Sequence, residues 1–149
     1  MPESPYRFID AEVPVQPTAF EVLVKHADLL EQGTQGLIEG RVLERVQEHL
    51  DEADIPTGSQ LTYTLYLQVP RLRNYLYRLY EVSPRDQDTD YPVRVTVFLK
   101  SGPDTRRLAE DAEELNKILT QYAQSSSVGN ILTNIRNQVL TMEEHQQSH

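Results

Sequence analysis

Between Gln60 and Pro70 the chain alternates strictly. Leu61, Tyr63, Leu65, Leu67 and Val69 fall on one side, Thr62, Thr64, Tyr66 and Gln68 on the other. A period of two is the signature of a strand with one buried face. The pattern returns at Val93, Val95, Val97 and Leu99, with Arg94, Thr96, Phe98 and Lys100 opposite. Between these runs, Tyr75 to Val82 reads as a strand whose alternation is less clear. Pro70 to Asn74 makes the first connection and the polar segment Ser83 to Asp90 the second. Connections this short predict an antiparallel meander.

Elsewhere the period lengthens. Thr18-Ala19-Phe20-Glu21 is a capping box after Pro17, followed by Phe20, Leu23, Val24, Ala27 and Leu30 at helical spacing, with Gly33 as a stop. A second helix is expected from about Gly36 to Asp54, on the stripe Ile38, Val42, Val46, Leu50 and Ala53. Ile55-Pro56-Thr57-Gly58-Ser59 then reads as a breaker. Ser101-Gly102-Pro103-Asp104 is expected to open a third helix carrying Leu108, Leu115, Ile118, Leu119 and Tyr122. Ser125-Ser126-Ser127 breaks and recaps it. A last helix carries Val128, Ile131, Leu132, Ile135, Val139 and Met142, and residues 143–149 read as a flexible tail. Residues 1–17 hold four prolines, which favours an extended arm; Tyr6-Arg7-Phe8-Ile9 within it would add a fourth, edge strand.

The expected fold is therefore α+β, one domain over residues 1–149. A three-stranded antiparallel meander, four-stranded if the arm joins it, is flanked by two N-terminal and two C-terminal helices. Few strands leave edges exposed, which motivates the expectation of a homodimer.

Composition narrows the chemistry. No run approaches the ~20 apolar residues of a membrane span. Met1 to Pro5 has neither a basic head nor an apolar segment, so no secretory leader is expected. The absence of cysteine removes disulfides, thiolate catalysis and Cys-based metal centres. A cytoplasmic location is the economical expectation. The net charge of −9 disfavours general affinity for nucleic acid. Charge is nevertheless segregated: between Arg71 and Arg107 eight basic residues face five acidic ones, while the remainder holds six basic and eighteen acidic.

Catalytic signatures do not emerge. Outside the tail, where His145 and His149 stand four apart, no two histidines have the spacing that places two metal ligands on one helix face. His26 and His49 lie off the apolar stripes and are expected to be solvated surface histidines. Neither Gly-x-Ser-x-Gly, Ser-x-x-Lys nor a glycine-rich phosphate loop occurs. No cofactor, metal or catalytic residue is assigned.

One constellation stands out. If the first two strands pair symmetrically about Leu72, the outer sheet face gathers Tyr66, Arg78, Tyr80, Arg94, Phe98 and Lys100, with Arg71 and Arg73 in the adjoining turn. Arginines interleaved with aromatics suit an acidic protein segment, or stacked bases and phosphates. The leading expectation is a non-catalytic interaction or regulatory module that binds a protein partner or a second copy. An anionic-ligand or single-stranded nucleic-acid binder is the alternative, and a small enzyme of another type the third.

Overall fold

The computed structural model describes residues 16–84 and 90–147. The element order is α1 (Ala19–Gly33), β1 (Glu39–Leu50), β2 (Pro56–Val69), a 3-10 turn (Pro70–Leu72), β3 (Tyr75–Pro84), β4 (Val93–Leu99), β5 (Gly102–Ala109), α2 (Ala112–Ala123) and α3 (Ser126–Gln147). The strands form one antiparallel sheet in the order β1-β2-β3-β4-β5. The α+β class and the meander are as the alternation predicts; the element count differs. The extended arm with its strand at Tyr6–Ile9 lies outside the described residues, except for its last two.

Two expected helical segments are strands. Residues 39–50 form β1, paired along its whole length with β2, from Glu39 opposite Gln68 to Leu50 opposite Pro56. Cross-strand pairing outweighs the moderate helix propensity of this segment. The supposed breaker at Pro56-Thr57-Gly58-Ser59 is the start of β2, with proline at the strand's first residue, where no ladder donor is needed. The hairpin is closed by Asp51, whose Oδ1 accepts from Ala53 N (2.8 Å) and Ile55 N (3.0 Å), with Asp54 at φ +59°. Residues 102–109 form β5, an edge strand that tolerates Pro103. The helix expected from Ser101 begins only at Ala112, capped by Asp111, whose Oδ1 accepts from Glu114 N at 2.8 Å.

The remaining helices start and stop for legible reasons. Thr18 Oγ1 accepts from Glu21 N at 3.2 Å, capping α1. Its far end turns through Gln35 (φ +55°) and Gly36 (φ +79°). Thr34 bridges this turn: its hydroxyl donates to Leu30 O (2.9 Å) and accepts from Ile38 N (3.2 Å). Ser125 Oγ accepts from Val128 N at 3.2 Å at the start of α3. That helix continues through the expected tail to Gln147.

All three helices pack on one core, on the face that carries Leu65, Leu67, Val69, Val82, Val93, Val95 and Val97; α1 does so through Ala19, Val22, Leu23 and Ala27, leaving Phe20 and Val24 of the expected stripe exposed. Helix α1 lies across β1 so closely that a Cβ on Gly40 would sit 2.6 Å from Ala27 Cα. Here the chain needs glycine for the close approach.

His26, expected at the solvated surface, is instead buried between two helices and ties α1 to α2, its Nε2 lying 2.9 Å from Asn116 Oδ1. Burial lowers the imidazole pKa below its ordinary 6.5, opposed by the Asn116 hydrogen bond and reinforced by nearby Lys25. The folded state thus holds His26 neutral, while the unfolded chain takes up a proton near pH 6.5. Stability from this residue is full above that pH and falls as pH drops through and below it. Wild type minus His26→Gln, compared by urea midpoint between pH 7.5 and 5, should show a loss of stability on acidification that the variant lacks. Parallel profiles would contradict this account.

Candidate functional site

The outer face of the sheet, opposite the helices, carries part of the expected constellation. Arg41, Tyr66 and Arg78 stand in one row across β1, β2 and β3. The Arg78 guanidinium lies 3.9 Å from the centroid of the Phe98 ring, and its Nη1 is 3.8 Å from Glu81 Oε2. Arg94 is exposed further along, opposite Ser83 and Leu108. Among the described residues no helix covers this face.

Three corrections follow. Pairing is symmetric about Leu72 only from Val69–Tyr75 to Tyr66–Arg78; a bulge then sets Leu65 opposite Tyr80. The extra residue turns Tyr80 into the core, where it is 3% exposed, so it is not part of the outer face. Arg71 points to α3 and pairs with Glu143 at 2.5 Å. Arg73 (φ +58°) lies in the turn, as expected, whereas Lys100 occupies the β4–β5 turn rather than the sheet face. Of the expected face residues, Tyr66, Arg78 and Phe98 stand side by side in one row, and Arg78 is already engaged by a ring and a carboxylate.

A second surface was not expected. The β1–β2 hairpin extends past the helices as a two-stranded ribbon with apolar residues in water: Val46 (60% exposed), Leu50, Ile55 (57%), Leu61 and, on its other side, Leu43. Val46 lies opposite Leu61 and Leu50 opposite Pro56, so these four share a face. At the ribbon's root Phe20 packs on Tyr63, ring centroids 5.6 Å apart. Scattered exposed apolar residues are ordinary, but a contiguous group marks an interaction site. Six carboxylates (Glu39, Glu44, Glu48, Asp51, Glu52 and Asp54) outnumber Arg41 and Arg45 along it. The field reaches Tyr63, whose phenol pKa is raised by burial first and then by Glu44 and Asp90.

The outer edge of β1 completes this surface. β1 is the terminal strand of the sheet, so the backbone groups on its far side have no ladder partner among the described residues. Twelve residues is long for an edge strand, and such an edge is a template for another extended segment.

Among the described residues no group of three His, Asp or Glu side chains gathers to hold a metal. No helix among them is long and apolar enough to cross a membrane. Compared with protein-family models, with curated proteins and with solved structures, the chain finds no match in any of the three.

Proposed function

We propose that this protein is a non-catalytic, cytoplasmic interaction module that takes up an extended segment of a protein partner along the free edge of β1. The observation that carries this reading is the ribbon: a long unpaired edge joined to a contiguous exposed apolar face. Strand addition draws affinity from main-chain hydrogen bonds and specificity from alternate side chains. The acidic ribbon favours a partner segment that alternates apolar and basic residues. A second copy brings the same excess of carboxylates and is disfavoured on charge.

A ten-residue peptide alternating valine and lysine, labelled and titrated by fluorescence anisotropy, probes the edge. Binding should protect β1 amides from hydrogen exchange. Val46→Asp with Leu61→Asp should weaken it at least 30-fold, about 2 kcal/mol. Nonspecific attraction of a basic peptide would grow with the added carboxylates, so the direction of the change is diagnostic. Failure of the peptide to protect β1 refutes the reading. A dimer formed through β1 at tens of micromolar, seen by sedimentation, refutes the choice of occupant.

A second reading rests on the uncovered row of Tyr66, Arg78 and Phe98 with exposed Arg94, as a site for an anionic ligand or single-stranded nucleic acid. It requires binding of short oligonucleotides that falls steeply with salt and is lost in an Arg78→Ala, Arg94→Ala double variant. Its support is weaker because the ring face of Phe98, which a base would stack upon, is occupied by Arg78.

A further inference from the structure

A cleft of about 300 Å³ opens between α1, the β2–β3 part of the sheet and the α2–α3 junction. Its walls include Leu30, Leu65, Leu79, Tyr80, Val128 and Leu132. Its volume is twice that of a cavity of roughly 150 Å³ that holds benzene, and at the lower end of small-molecule sites. Among the described residues nothing fills it.

The polar side chains in this wall are few: Thr34, Thr120, His26, Tyr80 and, at the exposed rim, Gln124. Thr34 and Thr120 commit their hydroxyl hydrogens to helix carbonyls, Leu30 O at 2.9 Å and Asn116 O at 2.8 Å. His26 is engaged with Asn116. Tyr80 differs: its residue is 3% exposed, yet its hydroxyl has no hydrogen-bond partner among the described residues. Every fully enclosed side-chain nitrogen or oxygen described does have one, so this hydroxyl meets open space, and Tyr80 borders the cleft. Burial raises the phenol pKa, which keeps the hydroxyl protonated as a donor. A hydroxyl that faces the open space of the cleft is placed to donate to an acceptor bound there.

No Asp, Glu, Lys or Arg lines the cleft. A charged ligand entering it would give up its water without an ionic partner. We propose that this cleft binds a small, uncharged, mainly apolar molecule, of one or two fused rings or equivalent bulk, whose single hydrogen-bond acceptor takes the Tyr80 hydroxyl. The site lies on the helix side of the sheet and is independent of the ribbon edge.

The neutral naphthyl ketone 6-propionyl-2-dimethylaminonaphthalene tests it. Its carbonyl is the required acceptor, and the chain holds no tryptophan to obscure its emission. Titration into the whole chain should give saturable one-to-one binding with a blue shift. Tyr80→Phe should weaken it about tenfold, the loss of one hydrogen bond. Gly33→Leu, at the rim where an added Cβ meets nothing within 4 Å, should abolish it. Val128→Phe fills the cleft from the other wall and serves if the first variant misfolds. An anionic naphthalene sulfonate of similar size should bind at least tenfold more weakly. The proposal is overturned by no saturable binding up to the ketone's solubility limit, by undiminished binding in a folded filling variant, or by equal affinity for the sulfonate.

Discussion

Replacing Gly40 by valine should lower stability by about 3 kcal/mol, the upper part of the usual range for forcing extra atoms into a packed interface. A Cβ at this position would lie 2.6 Å from both Ala27 Cα and Ala27 Cβ and 2.8 Å from Ala27 O. Two of those three atoms are backbone, so no side-chain rotation relieves the clash. Either α1 lifts from β1 or β1 shears along β2, and each movement opens the core over Leu65 and Leu67. For a chain of this size 3 kcal/mol corresponds to a fall in Tm of about 10 °C. Gly40→Ala already introduces the clashing atom and should cost most of the same amount. Urea unfolding with an unchanged m value is the measurement, and an alanine variant within 0.5 kcal/mol of wild type would contradict the close approach.

The second large effect is a contrast between two residues of one hairpin. Leu67→Ala should cost between about 2 and 5 kcal/mol, because the side chain is fully buried and its removal leaves a cavity. Val46→Ala, on the same face of the same hairpin, should stay within about 0.5 kcal/mol. Leu67 stands between Gly40 and Tyr77 in the register, under α1; Val46 stands beyond the helices in water. A helix over 36–54 places Val46 on a buried stripe with Val42 and Leu50, and its truncation would then be costly. The pair of measurements therefore separates the two structures of this segment as well as testing the core.

Why the segment reads both ways is instructive. Val42, Val46 and Leu50 are spaced by four, which is nearly one helical turn and also two full strand periods. Such a stripe shares a face in either conformation. Glu44 and Glu48, between them on the same strand face, carry no apolar signal because that face is open to water at the tip. The stretch 60–70 has no such ambiguity, since apolar and polar residues alternate strictly along it and Leu65, Leu67 and Val69 bury one face. Strand β5 was obscured differently: Gly102-Pro103-Asp104 resembles a helix start, whereas Gly102 (φ +121°) follows the two-residue turn from β4. The Asp111–Glu114 cap was the readable sign of where α2 begins.

The outer-face row was legible as far as the register held. Pairing about Leu72 correctly placed Tyr66 opposite Arg78, and Phe98 joined them. The bulge that removes Tyr80 leaves no mark in the alternation, because Leu79 and Tyr80 are both apolar enough to be buried. The cleft was invisible for a similar reason. Its walls come from α1, the sheet, α2 and α3, and only their packing decides where space remains.

The close seat of α1 on Gly40 has one more consequence. It anchors β1 at its beginning and leaves the strand's remainder to act as a cantilever. Substitutions of the exposed Val46, Leu50 and Ile55 along the overhang remove no buried side chain from the core. Those exposed positions can therefore change over generations with little toll on folding while the body beneath stays unaltered.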